Sequence, residues 1–445
     1  MTNHWLKWIF MLSGVGIMTA RTGQQGGIYL FLFLVPMFAG AYKREGNAEL
    51  FRAGFIFFLL YVVFALFDVV HWAFGGESYH LHGNSLIKGK LSSLLGCTGV
   101  LWMLLGKKVL PRKSSLAIDA NHMFACFWDG VWLGSILLLG LGVVQILTGF
   151  DFVSANAYRP DRLMASGLYR ATGLSNHPLS LAGMSLGVMT LAATLGLSST
   201  NWQAALSGFG VMPNRFRFLS WRVKFASVAI CHGALVFLSG SRTPSAIALA
   251  IGLMCLGLVA WRHRSNLLIQ IMAGSTIVVA GLGIWKLGVA TRFAEALQSG
   301  MGGDQRTYFW KAHWTMFLEH PWIGLGRQYL ETVARDRAFE TLFPGQQIVH
   351  YNAHNLYLEV LAMGGLFGGA VLFGLFSLLA VRMRTISRCS DLGPALYQAL
   401  FWAFIANLVH GLTQNSLFDS AAIAPYVYAS WLLALMMLWQ APKAR

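Results

Sequence analysis

The chain has 445 residues, of which 56% are hydrophobic and only 11% charged, with a formal net charge of +16. A soluble globular chain carries roughly a quarter charged residues, so these proportions, with a mean hydropathy of +0.57, exclude that class. Nucleic acid does not explain the positive charge either, because the cations are spread over both ends of the apolar runs and do not cluster on one module with stacking aromatics.

In chain order, apolar runs of about 20 residues, the thickness of a bilayer core, recur. They fall near 5–20, 27–42, 54–74, 87–105, 126–150, 179–198, 223–238, 243–261, 267–289, 355–381, 396–412 and 421–440. The alternating ten-residue pattern of an outer-membrane barrel is absent. The expected fold class is therefore an all-α integral membrane protein with about twelve transmembrane helices, since helices satisfy their own backbone groups in hydrocarbon. The first run is read as a retained helix, because Arg21-Thr22-Gly23-Gln24 follows it where a signal peptide would carry small residues.

Basic residues in short loops mark the cytoplasmic side. Alternate connections hold Lys43, Arg44 and Arg52; Lys107, Lys108, Arg112 and Lys113; Arg215, Arg217, Arg222 and Lys224; Arg262 and Arg264; Arg382, Arg384 and Arg388; and the tail Lys443 and Arg445. One alternation through six successive segments supports an even number of spans with both termini cytoplasmic. The whole chain, 1–445, reads as one polytopic membrane domain with two long outer loops, 151–178 and 290–353. Those loops carry Arg159, Arg162 and Arg170, then Arg292, Arg306, Lys311, Arg327, Arg335 and Arg337. Long loops escape the charge rule, so these cations are either solvated or gather an anionic ligand; arginine suits a phosphate because its planar fork donates two hydrogen bonds at once.

Cysteine supplies no disulfide framework: Cys97, Cys126, Cys231 and Cys255 fall in or beside apolar runs, and Cys389 lies in a cytoplasmic loop. Nor do Cys and His show a zinc spacing. His350 and His354 stand one helical turn apart, but no carboxylate sits at a matching place, and no metal or cofactor is expected.

Four local constellations carry the chemistry. Leu168 to Pro178 closes the first long loop; Asn176 and His177 before Pro178 resemble a helix start, and Arg170 is a candidate anion ligand. Leu238-Ser239-Gly240-Ser241-Arg242-Thr243 joins two apolar runs on the outer face, and the amides opening the next helix would point at an anion there. Arg242 at that edge is read as a phosphate ligand, the alternative being a snorkelling anchor. Gly302 to Phe317 follows, in which Asp304 would cap a helix bearing Trp310, Trp314 and Phe317 on one stripe. Such a helix suits the membrane interface, with Arg306 one turn before Trp310. The last runs from His320-Pro321-Trp322-Ile323-Gly324-Leu325-Gly326 to His350-Tyr351-Asn352-Ala353-His354-Asn355-Leu356-Tyr357-Leu358-Glu359. His354 is the candidate general base, because imidazole titrates near neutrality; a purely structural histidine is the alternative. His350, Asn355 and Glu359 are read as positioning residues that orient it or contact a sugar.

The order of a Ser-x-Ser-Arg turn (Ser239 to Arg242), a His-Pro-Trp-x-Gly-x-Gly segment (His320 to Gly326) and His-Asn-x-Tyr-Leu (His354 to Leu358), followed by Gly364, Gly365 and Gly368, resembles the O-antigen ligase and polymerase superfamily. In particular it is similar to the bacterial O-antigen ligases that complete lipopolysaccharide. The resemblance spans roughly 170–370 in motif and the whole chain in hydropathy. It implies an inverting, metal-independent membrane glycosyltransferase of the inner membrane, moving O-polysaccharide from undecaprenyl diphosphate to a hydroxyl of lipid A-core at the periplasmic face. It further implies that His354 is catalytic, that Arg242 and Arg306 bind the diphosphate with Arg170 as a further ligand, and that 290–353 is the large periplasmic loop. An O-antigen polymerase or a protein-directed oligosaccharide transferase would share donor and fold and differ in acceptor. A secondary transporter of an anionic solute would also use arginines, but near the midplane and in related halves, and no such repeat is present. Partners are thus the lipid-linked glycan, lipid A-core and membrane lipids. The residues offer no carboxylate pair for a glycosidase-like mechanism.

Overall fold

The run Pro178–Leu197 shows why these segments are helical: Leu, Ala, Met and Gly fill it without a charge, proline stands at its first position, and the preceding residue supplies the cap. In hydrocarbon such a run must bond its own amides, and a helix does so. The computed structural model describes residue 11 and residues 120–150, 162–164, 167–175, 177–202, 206, 220–286, 305–325, 353–387 and 393–414. Expected spans at 27–42, 54–74, 87–105 and 421–440 lie outside the described residues, as do 5–20 apart from Met11, and His350, Asn176 and Asp304.

Within the described residues the chain is helical with no strand; an isolated antiparallel bridge joins Leu163 and Tyr169. The helices are α1 (Ala120–Thr148), α2 (Pro178–Leu197), α3 (Trp221–Leu238), α4 (Arg242–Arg262), α5 (Leu267–Lys286), α6 (Gln305–Glu319), α7 (Leu356–Ser387) and α8 (Gly393–His410). Four of these, Phe124–Thr148 within α1 and all of α2, α3 and α4, are long and apolar enough to cross a membrane. The protein is a membrane protein: Leu147 is 66% exposed, Ile230 71% and Met254 56% on those helices, an apolar surface that water would not tolerate and lipid accepts.

Helix α2 is the hub, packed against α3, α4 and α8, while α1 packs on α3, α6 on α7 and α7 on α8. At one end of the bundle an aromatic core forms from α1, α3 and the segment after α2. Trp202 stacks on Phe124 at 5.8 Å and meets Phe225 edge-on at 5.1 Å, and Trp128 meets Phe225 at 5.1 Å. The Trp202 indole N–H is satisfied by the Leu195 carbonyl at 2.9 Å. Beside this core Lys224 Nζ stands 2.6 Å from Asp129 Oδ1 and 4.3 Å from the Trp221 ring centroid. Both charged side chains are buried, so the pair is compensated where a lone ion would not be tolerated. Arg262 Nη1 donates to the Leu197 carbonyl at 2.7 Å and Arg222 to Ser198 O at 3.4 Å. The basic ends of α3 and α4 therefore meet at the end of α2, the grouping the charge alternation predicts.

The other end of the bundle gathers residues 167–173 onto the helix termini. Ala171 N donates to Leu238 O at 2.9 Å and Tyr169 N to Ile146 O at 3.1 Å. Gln145 organises this stretch: its Oε1 accepts from the amides of Thr172 and Gly173 at 3.0 and 2.7 Å, and its Nε2 donates to Thr172 Oγ1 and Gly173 O. His177 caps α2 through Nδ1, which accepts from Leu179 N at 3.2 Å, the helix-start role its place before Pro178 suggested.

The expected continuous span 355–381 is instead broken. Gly365 has φ 61° and ψ −163° within α7, and the turn Pro321–Gly324 inserts against the break. Leu325 N donates to Ala362 O at 2.8 Å, Leu366 N to Pro321 O at 2.8 Å and Phe367 N to Trp322 O at 3.0 Å. The turn thus replaces bonds that the interrupted helix loses. A side chain on Gly324 would meet the Met363 backbone at 2.3 Å, and one on Gly365 the Trp322 backbone at 2.4 Å. The glycines of both motifs serve a backbone-to-backbone contact that locks α6 onto α7.

Candidate active site: an arginine-lined cavity

Four separate segments converge on one cavity of about 230 Å³, lined by Arg170, Gly240, Ser241, Arg242, Arg306, His410 and Gln414, with Leu179, Thr243, Pro244 and Thr413. Arg170 is brought there by the Gln145-ordered stretch and anchored to the α3–α4 turn: its Nε donates to Ser239 O at 2.9 Å and an Nη to Ser241 Oγ at 3.4 Å. The turn itself needs Gly240 at φ 64°, a conformation open to glycine. Ser239 Oγ accepts from Ser241 N at 3.2 Å. Arg242 begins α4, so the positive end of that helix opens on the cavity together with its guanidinium.

Arg306 arrives from the first turn of α6. The stripe expected to face the membrane is divided: Trp314 is 47% exposed, but Phe317 is buried, and the inward face is Phe309, Ala312, His313 and Met316. Arg306 lies one turn before Phe309 and Trp310 and lines the cavity, so it projects inward, not toward the membrane surface as its spacing from Trp310 suggested. Three guanidinium groups on one small cavity suit a polyanion with oxygen acceptors.

His354 stands one hydrogen bond behind this wall. Its Nδ1 lies 2.9 Å from Oε1 of Gln414, a residue of the cavity lining. An amide oxygen only accepts, so in this pairing Nδ1 carries the proton and Nε2 the basic lone pair. The residue adopts φ 48°, a left-handed conformation costly for a side chain other than glycine and typical of functional positions. What holds it there is α8. Leu356 N donates to Gly411 O at 2.7 Å, Asn355 Nδ2 to Leu412 O at 3.0 Å and Tyr357 Oη to Leu408 O at 3.0 Å.

Residues 225–373 match the family model described as O-antigen ligase. That stretch is similar to the O-antigen ligases. No curated protein matches the chain. The matched stretch contains Arg242, Arg306 and His354; Arg170, His410 and Gln414 line the cavity from outside it.

Asn355 and Glu359 do not line the cavity. Asn355 caps α7, its Oδ1 accepting from Tyr357 N and Leu358 N at 3.0 and 3.2 Å. Glu359 is buried one turn further on at 4% exposure. His313, on the inward face of α6, donates from Nδ1 to Phe309 O at 2.8 Å. Burial first, and the nearby His354 second, hold its pKa down to about 4 against the ordinary 6.5, so it is neutral at pH 7. The Phe309 ring lies 6.2 Å from that of His354. Among the described residues no group of three His, Cys, Asp or Glu is disposed to hold a metal ion.

Gln414, His410, His313 and Gln145 carry the site without having stood out in the sequence. The available signal was the polar run His410-Gly411-Leu412-Thr413-Gln414 closing an apolar stretch, which resembles an ordinary helix end.

Proposed function

We propose that the protein is a membrane glycosyltransferase that moves O-antigen polysaccharide from undecaprenyl diphosphate to a sugar hydroxyl of lipid A-core at the periplasmic face of the inner membrane. The observation that carries this reading is the convergence of Arg170, Arg242 and Arg306 on one cavity with His354 a single hydrogen bond behind its wall. The O-antigen ligase match supports the reaction class. The acceptor hydroxyl oxygen forms a bond to the anomeric carbon while the bond from that carbon to the phosphate oxygen breaks. The electron pair leaves with the diphosphate and the hydroxyl proton passes to His354 Nε2. Attack opposite the leaving group inverts the anomeric centre. Charge grows on the departing phosphate oxygen, so arginines around it favour the transition state over the bound donor. The base contributes about 10²–10⁴-fold.

A polymerase or a protein-directed oligosaccharide transferase would share the donor site and differ only in acceptor. A transporter fits less well, because the cavity lies at the ends of α4 and α8 and not across broken helices at mid-depth. The deciding experiment incubates purified protein with undecaprenyl diphosphate-linked O-glycan and lipid A-core. Glycan transferred to lipid A-core, and lost by at least about 10²-fold in His354→Ala and Arg242→Ala at unchanged melting temperature, is the expected result. Extension of lipid-linked glycan with no transfer would replace the ligase reading by the polymerase one, and wild-type rates in both variants would overturn the site.

A further inference from the structure

His410 ends α8 at 1% exposure and lines the arginine cavity. Neither ring nitrogen has a hydrogen-bond partner among the described residues. Its own backbone carbonyl accepts from Thr413 N at 3.1 Å, so the main chain is held while the ring is not. Arg306 is its charged neighbour. Buried polar side chains are nearly always paired. A histidine placed this way, on the wall of a cationic cavity, is suited to a partner that enters with the ligand.

The ligand chemistry follows from the wall. The arginines supply donors only, and a phosphoryl oxygen accepts only, so a further group useful to a phosphate must present a donor hydrogen, N–H or O–H. Imidazole does so whichever tautomer it adopts. It adds no further charge to a cavity already holding three guanidinium groups. We infer that His410 is a fourth ligand of the donor diphosphate, donating one ring N–H to a phosphoryl oxygen beside Arg306. This rests on the polyprenyl diphosphate reading of the cavity. His410 is thereby distinguished from His354, which acts on the acceptor hydroxyl.

The test measures binding of undecaprenyl diphosphate, without glycan, to the full-length protein in detergent micelles. It compares wild type, His410→Phe, His410→Asn and Arg242→Ala, with melting temperature recorded for each. Arg242→Ala should lose binding, and His410→Phe should bind about tenfold to a hundredfold more weakly than wild type, the loss of one hydrogen bond to a charged group. His410→Asn, which keeps an N–H, should recover to within about threefold of wild type. Unchanged affinity in His410→Phe with a binding wild type would overturn this inference alone, as would an equal loss in the Phe and Asn variants. Failure of the wild type to bind would instead overturn the diphosphate reading beneath it. Should His410→Phe not fold, the same comparison with His410→Gln and His410→Ala decides the matter.

Discussion

His354 holds a left-handed backbone at φ 48° and gives its Nδ1 to Gln414, and both features are those of a side chain whose orientation matters. If Gln414 sets the tautomer, replacing it by a carboxylate should favour the imidazolium. Gln414→Glu is accordingly expected to move the acid limb of the rate–pH profile to higher pH, whereas Gln414→Leu should lower kcat with little change in KM. Titrating initial rates of both variants checks this, and a Glu variant with the wild-type profile would remove Gln414 from the mechanism. His313 gives a second pH dependence. Its folded pKa of about 4 lies below the ordinary 6.5, so the folded state resists protonation and the unfolded state does not. The stability that neutrality contributes is complete above pH 6.5 and falls as pH drops from there toward 4, by on the order of 3 kcal/mol. Melting curves should therefore show wild type losing more stability between pH 7 and 5 than His313→Gln, which cannot be protonated. Parallel losses would show that His313 is not the group responsible.

At the scale of elements, the interruption of α7 is the unexpected feature. A continuous apolar run including Gly364, Gly365, Gly368 and Gly369 reads as one helix, because a hydropathy pattern records polarity and carries no information about a partner backbone. The partner is the turn Pro321–Gly324, whose groups complete the hydrogen bonds of the broken helix. The docking also fixes α6, and with it the inward aim of Arg306 at the cavity. Gly365→Ala is expected to cost roughly 2–4 kcal/mol through strained φ and contact with the Trp322 backbone. A substitution at Gly257, with open space around it, should cost no more than roughly 1 kcal/mol in either direction. Thermal unfolding in detergent compares the two. Gly365→Ala should also lower transfer, since displacing α6 misplaces Arg306.

At the scale of the whole molecule, the two ends of the helix bundle differ in kind. One end collects Arg222 and Arg262 around Leu197 and Ser198. The other collects Arg170, Arg242 and Arg306 around a cavity. By the positive-inside rule we propose that the first end faces the cytoplasm and the opposite end, with the cavity, the periplasm. In a cysteine-free background, Ser199→Cys should react with a membrane-impermeant thiol reagent only from the cytoplasmic side and Trp322→Cys only from the periplasmic side; both parent residues are exposed. Reaction of Trp322→Cys from the cytoplasm would invert the topology and with it the proposed compartment of the reaction.

The sequence by itself determined the membrane class and the helical character of the described spans, because those depend on composition and run length, which are local properties. It also pointed to Arg170, Arg242, Arg306 and His354 one at a time, since a cation or an imidazole at the edge of an apolar run is conspicuous wherever the chain goes. Only the tertiary structure decided that the three arginines share one cavity, that Arg306 turns inward beside Phe309 while Trp314 stays exposed, and that Asn355 spends its amide on a helix cap. It also decided that Gln414 and His410, more than fifty positions after His354, complete the wall. The physical reason is that convergence depends on backbone contacts between distant segments. The donors and acceptors that make Leu325 meet Ala362, or Leu356 meet Gly411, are present in every residue and leave no mark on the order of side chains.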